Sequence, residues 1–405
     1  MSERGADVAV AGAGVIGSAV AYYAALRGLR VVVFDAPRPG QATTASAAGL
    51  WPVGESLGFG CSLIFYRAMR GAGRRAVAGS ALPEPFLDFA LRSNAMFPAL
   101  AEELRARTGV DIELDPSSLV YALASDEDER TARALLSRPC HASGAVERLS
   151  APRLRRLVPW LSPLVRSGLL FRGEDQVNPY RFAAALRQAA RALGARFLVD
   201  EPATRIVLAR GRVAAVESAR RRVPCGAVVN AAGAWSAQVG RLAGVTLPVR
   251  PVRGQLLCTE PLPGRLGPAV TTSDVYVVQK AHGEALIGST VEQAGFDAGV
   301  TPEAMSALAA AAVRALPALA RVRVKRCWAG LRAGTPDQLP ILGAVSGVRG
   351  YLNACHYRKG ILNAPLTGLS LAQVLCGEEP EASLEPFALA RFGGGVRPRT
   401  ARAAR

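Results

Sequence analysis

Three glycines, Gly12, Gly14 and Gly17, stand in the spacing G-x-G-x-x-G directly after the apolar run Val8-Ala9-Val10-Ala11. That spacing makes a pyrophosphate cradle. The first glycine permits a tight turn, the second a close backbone approach, and the third close packing of helix on strand. The helix that follows offers free amides and the positive end of its dipole to a phosphate. Asp35 ends a second apolar run, Arg30-Val31-Val32-Val33-Phe34, where a carboxylate accepts from ribose hydroxyls and disfavours a 2′-phosphate. Strand, helix, strand and acid all fall where a dinucleotide-binding βαβ unit needs them, so a chance glycine turn is set aside.

The fingerprint alone fits NAD or FAD. A later segment, Val228-Val229-Asn230-Ala231-Ala232-Gly233-Ala234-Trp235-Ser236, is an apolar strand and a small-residue turn. Small residues there let the chain pass close to an extended dinucleotide; the segment resembles the motif that brings the chain back under the FAD site in two-dinucleotide-domain flavoproteins, and that resemblance implies FAD. The rest of the chain supplies the positioning elements. The 80–165 region reads as helices with a strand at Ser118–Leu123, and Asn178-Pro179 caps an amphipathic helix running to Leu193. Strands are expected at Val213–Val216 and Ala227–Asn230, and β pattern prevails from Pro248 to Ser289. Helices are expected at Pro302–Leu316 and Ala364–Leu375.

The chain has 405 residues, half of them hydrophobic and a fifth charged, which excludes a disordered or collagen-like protein. Its net charge is +17, and its lysines are Lys280, Lys325 and Lys359, so the excess is almost all arginine. No nucleic-acid-binding motif accompanies the charge, and no nucleic-acid partner is expected. The uncharged stretch Val8–Leu26 is explained by the glycine turn rather than by a transmembrane span. Seven scattered cysteines without a CxxC pair argue against a disulfide framework and a metal site. The expected location is cytoplasmic or peripheral at the inner membrane face, and the basic surface is left to dock an acidic partner subunit or an anionic membrane face.

Several longer segments carry a resemblance: Ala45–Leu50, Asp175–Pro179, Pro251–Gln255, Ile287–Thr290 with Glu292, Trp328–Gly343, and His356–Gly368. On these the chain resembles the D-amino-acid-oxidase superfamily of flavoproteins, in its glycine and sarcosine oxidase branch, from residue 7 to residue 392. Ala48–Cys61 and Thr271–Lys280 are similar to the flavoprotein subunits of bacterial hydrogen cyanide synthases. D-hydroxyproline and related D-amino-acid dehydrogenase subunits share much of the pattern.

The resemblance implies an α/β protein, with a Rossmann-like FAD-binding domain and an interleaved α+β substrate domain on a mainly antiparallel sheet. The FAD-binding part is expected at 1–80, 165–245 and 325–392, the substrate part at 81–164 and 246–324, and a disordered basic tail at 393–405. FAD contacts are implied at Gly12, Gly14, Gly17, Asp35, Thr43, Thr44, Ser46, Ala48 and Gly49. Further contacts are implied at Ala203, Ala232, Gly233, Trp235, Gly330, Arg332, Gly360 and Ile361. The flavin is expected to be non-covalent, because Gly330 stands where sarcosine oxidases carry the attaching cysteine. Arg332, Arg358 and Tyr276 are implied at the substrate, Arg358 as the arginine that grips its carboxylate, Tyr276 as a hydroxyl that binds the same carboxylate, and Arg332 as lying near the substrate. The implied reaction passes a hydride from Cα–H of glycine or another small amino acid to flavin N5, giving an imine. Partner redox subunits or self-association are implied with it; a D-amino-acid or D-hydroxyproline dehydrogenase subunit and a catalytically weakened assembly subunit are the alternatives. One departure stands out: Cys355 replaces the glycine that relatives carry before the histidine, which predicts a reshaped loop. His356 and Trp51 read as packed core residues.

Overall fold

The computed structural model describes residues 5–60, 63–64, 81–137 and 145–393. The expected tail therefore lies outside the described residues from 394 onward, as does Cys61 of the Ala48–Cys61 motif.

Valine- and alanine-rich runs buried on both faces make a parallel sheet. Its order is Tyr351–Cys355, Arg222–Asn230, Ala6–Ala11, Val31–Phe34 and Arg196–Leu198. Ile341–Ala344 adds an antiparallel edge, and the hairpin Arg205–Ala209 with Arg212–Glu217 joins the N-terminal part of Arg222–Asn230. The helix Val15–Leu26 covers one face, with Ala19, Val20, Ala21 and Ala24 buried. Its N-cap is Gly14, the second glycine of the turn. Asn178 caps Pro179–Ala192 as expected, its side chain accepting from the amides of Tyr180 and Arg181 at 3.1 and 3.2 Å. The last long helix, Gly360–Cys376, starts before its apolar run and holds Pro365 in its second turn.

A second sheet takes eight of the described strands in the order Val324–Gly334, Arg250–Pro261, Glu284–Gly288, Tyr276–Gln279, Ala269–Thr271, Ser118–Leu123, Ser167–Arg172 and Val146–Ser150. All its pairs are antiparallel except Ala269–Thr271 with Ser118–Leu123. Sheet membership moves the expected boundaries. Ser167–Arg172 and Val324–Gly334, expected with the FAD-binding part, belong to the second sheet. Val324–Gly334 pairs along Arg250–Pro261 from Arg250↔Gly334 to Thr259↔Val324, and no short-range pattern encodes such a partner. Conversely, Glu84–Ala95 and Phe97–Thr108 send Phe86, Phe89, Phe97 and Leu100 into the core that holds Val8, Val10 and Phe182.

At Gly17 a Cβ would lie 1.9 Å from the carbonyl oxygen of Gly12, inside the turn itself. Neither backbone segment can yield without opening the helix–strand contact. Gly17→Ala is expected to cost at least about 1–3 kcal/mol and to lower the flavin retained on purification. The melting temperature and the ratio of flavin to protein absorbance measure both.

Candidate active site

A single cleft of about 410 Å³ runs from the glycine turn to the face of the second sheet. At its first end Gly12 has φ +108°, a left-handed backbone that other residues resist, and its missing side chain lets Ala231 pass: a Cβ would be 2.5 Å from the Ala231 oxygen. Gly14, Val15 and Ile16 line the cleft, so the helix N-terminus opens into it. Thr43 Oγ1 accepts from the Val15 amide at 3.1 Å. Asp35 Oδ1 accepts from the Ala13 amide at 2.9 Å, which orients the carboxylate at the rim of the same turn. Asn230 donates to the Tyr351 hydroxyl and the Ser236 carbonyl, both at 2.9 Å, and so holds the turn carrying Ala232, Gly233 and Trp235 against the cleft. Helix amides for a pyrophosphate, an acid for a ribose, and small residues along the path form a donor and acceptor set that fits a dinucleotide.

At the other end Tyr276, Arg332 and Arg358 come together. Tyr276 is buried, edge-on to Trp51 at 5.7 Å, and its hydroxyl sits above Gly288, where a Cβ would be 2.5 Å away. The Arg332 guanidinium lies flat on Gly254, donating to Ser289 Oγ at 2.7 Å and to the Thr290 carbonyl at 3.2 Å. Arg358 is an inside arginine. Its Nη2 donates to Glu55 Oε2 at 2.6 Å and its Nη1 to Gln338 Oε1 at 2.7 Å, and the two ion-pair side chains are 2% and 1% exposed. Lys359 Nζ stands 3.3 Å from Glu55 Oε1 and 4.5 Å from the centre of the Trp51 ring. Gln338 reaches Arg358 from a turn in which its own backbone is left-handed, φ +68°.

Burial sets the charge of the neighbouring groups. Glu174 accepts from the amides of Val53 and Gly54 at 2.8 and 3.2 Å, yet desolvation outweighs them and pushes its carboxyl up to about 8. His356 Nε2 pairs with Thr367 Oγ1 at 2.9 Å, and burial lowers the imidazole to about 3, so it is neutral. Cys355 is the last residue of a strand, paired with Ile341, and its thiol, packed in the core, is pushed up to about 12 by burial. Cys355 thus occupies an extended strand position, which accepts any residue. The demanding residue of this turn is Lys359, with φ +53°.

The family described as FAD dependent oxidoreductase (DAO) matches residues 7–374. The chain belongs to the DAO family of FAD-dependent oxidoreductases. It is 42% identical over 400 residues to hydrogen cyanide synthase subunit HcnC of Pseudomonas aeruginosa, covering 95% of this chain and 96% of that one. It is 31% identical to the glycine oxidase of Geobacillus kaustophilus, over 96% of this chain and 98% of the relative. The crystal structure of the G. kaustophilus glycine oxidase superposes with a TM-score of 0.81 at 29% identity, over 95% of this chain and 98% of that one. An iminodiacetate oxidase from Chelativorans gives 0.80 at 25%, over 94% and 98%.

Within this DAO-family cleft, most of the residues that the sequence singles out are brought together. Gly12, Gly14, Asp35, Thr43, Ser46, Ala48, Gly49, Ala203, Ala232, Gly233, Trp235, Gly330, Arg332, Gly360 and Ile361 line it with Tyr276 and Arg358. Gly17 and Thr44 are not among the lining residues. Gly17 packs helix on strand, and Thr44 Oγ1 donates to the Gln41 carbonyl at 3.3 Å. Trp51 and His356, read from the sequence as core residues, both line the cleft, Trp51 buried and His356 half-buried. Glu55, Gln338 and Lys359 were not anticipated. The available signal for Glu55 was a carboxylate set among Trp51, Pro52, Val53, Gly54 and Leu57, where a solvated acid is out of place. No described helix is long and apolar enough to cross a membrane.

Glu174 carries a pH signature. An unfolded chain releases this proton near the ordinary value of 4.5, whereas the folded protein holds it to about 8. Its contribution to stability is full below 4.5, falls as pH rises, and levels off above about 8. Glu174→Gln keeps an acceptor for Val53 and Gly54 without the titration. Its melting temperature is expected to gain on the wild type steadily across that window, as a pH series of thermal melts will measure.

Proposed function

We propose that this chain oxidises the Cα–N bond of glycine or another small amino acid to an imine, as the catalytic subunit of a cyanide-forming complex. The observation that carries this reading is the meeting of Tyr276, Arg332 and Arg358 at one end of a dinucleotide cleft. Similarity to a hydrogen cyanide synthase subunit and to glycine oxidases supports the choice of substrate. Arg332 and Arg358 hold the substrate carboxylate, and the Tyr276 hydroxyl donates to it. Trp51, Leu256 and Tyr357 wall the same end and exclude water. That fixes the orientation of the Cα–H bond, and orientation is the largest task left to the protein in such a reaction. FAD, when bound, supplies the two-electron acceptor. Its attachment is non-covalent in this reading, because no described cysteine lines the cleft: Cys327 is exposed and Cys355 is buried in the core.

The test is anaerobic. Glycine is expected to bleach the flavin of the purified protein, with cyanide formed once the partner subunits are added. No bleaching by glycine, sarcosine or any of a panel of D-amino acids would overturn the reading. Bleaching by D-hydroxyproline but not glycine would assign the dehydrogenase activity instead. Arg358→Ala is expected to weaken carboxylate binding by about 2–5 kcal/mol while FAD stays bound. Unchanged saturation kinetics would remove Arg358 from the substrate.

A further inference from the structure

The second sheet ends on an open edge beside the cleft. Val324–Gly334 is its last strand, paired with Arg250–Pro261 on one side. On the other side its later part is covered, because the Leu331 amide donates to the Gly40 carbonyl at 2.8 Å. From Val324 to Ala329 no described strand or bridge lies on that outer side. Alternation along a strand turns the N–H and C=O of Cys327 and Ala329 the same way as those of Leu331, toward the open side. The neighbouring strand has the matching parity: Arg253, opposite Leu331, turns its N–H away, to the Glu292 carbonyl at 2.9 Å. Val324, Lys325, Arg326 and Cys327 are all exposed. The edge also adjoins the site: Trp328 Nε1 donates to the Ala45 carbonyl at 3.1 Å, and Ala45 and Gly330 line the cleft.

An open run of backbone donors and acceptors is a template for one more strand. We propose that the edge from Val324 to Ala329 is the docking site for an extended, acid-bearing segment of a partner subunit, which adds to the second sheet as a further strand. The inference rests on the reading of this chain as a subunit of a complex. Charge selects the occupant. Arg323, Lys325 and Arg326 stand along the edge, all exposed, with Lys325 paired to Glu284 at 3.0 Å. A second copy of this chain would set these cations against their own kind across a strand spacing of about 4.8 Å, and like charges on facing strands repel. Acidic side chains on an added strand meet them favourably. Lipid offers no partner to edge N–H and C=O groups, so a bilayer does not close this edge. A merely protective role for Lys325 and Arg326, blunting the edge against pairing, would leave it uncovered in the complex.

The test compares the holoenzyme alone with the complex drawn from its own cells through an affinity tag, by backbone hydrogen exchange. The outward amides of Cys327 and Ala329 are expected to exchange at least ~10-fold more slowly in the complex. Cys327→Pro deletes one outward N–H and spares the pairing with Arg250–Pro261. It is expected to weaken partner binding at least ~10-fold. Arg326→Glu leaves the backbone intact and is expected to act in the same direction, should Cys327→Pro fail to fold. Both variants are expected to keep their flavin and to bleach with glycine as the wild type does. A complex whose edge exchanges as fast as in the chain alone overturns this inference and leaves the subunit reading standing. Partner binding unchanged in both variants does the same. Protection of the edge by a second copy of the chain, or by phosphatidylglycerol vesicles, overturns it as well. A chain that draws no partner from its cells overturns the subunit reading, and the inference with it.

Discussion

An arginine and a glutamate that stand 303 residues apart share a hydrogen bond of 2.6 Å in the interior, and the architecture of the site follows from that contact. Side chains of these types enter a protein core only when paired, because an isolated charge there costs several kcal/mol. Glu55 lies on the short helix Pro52–Ser56, whose Val53 and Gly54 amides are taken by Glu174. Arg358 lies on the turn before Gly360–Cys376, and Gln338 comes from a third segment. Displacing any of these segments would strand a buried charge or an unpaired polar group. The pair therefore fixes where the helix, the two turns and the strand before Glu174 must meet, and the cleft ends there.

The same end needs contributions from both sheets. Arg358 follows the strand Tyr351–Cys355 of the parallel sheet, whereas Arg332 and Tyr276 are carried by strands of the antiparallel one. Val324–Gly334 joins the two: it pairs with Arg250–Pro261 on one side, and on the other its Leu331 amide donates to the Gly40 carbonyl at 2.8 Å. The loop after Asp35 is thereby tied to the sheet that bears Arg332. Arg253, buried within Arg250–Pro261, adds a second tie through Glu292, with Nε to Oε2 at 2.9 Å. This explains why two of the motifs singled out in the sequence, around Arg253 and around Glu292, sit far apart in the chain and side by side in the fold.

Legibility in the sequence followed the range of the physics. The glycine turn, Asp35 and the Asn178 cap act over a few residues, and their spacing alone announced them. The placement of Val324–Gly334 depended on a partner strand some 70 residues earlier, whereas the chain from 325 on was expected with the FAD-binding part. Cys355 was expected to strain its loop, yet it occupies an extended position; the left-handed residue is Lys359, four further on. Which residue of a tight turn takes the unusual backbone is decided by where the following helix must point, and composition does not carry that information.

Taken alone, the amino-acid order determined a dinucleotide-binding α/β fold, because backbone geometry and helix-end electrostatics are written in local spacing; Arg332, Arg358 and Tyr276 were marked by the resemblance to a known family and not by their spacing. It left open which of its many arginines is buried and which acid accompanies it. Tertiary structure decided that Glu55, Lys359 and Gln338 surround Arg358. Coulomb energy and desolvation depend on distance and burial in space, and both are set only when segments hundreds of residues apart have packed.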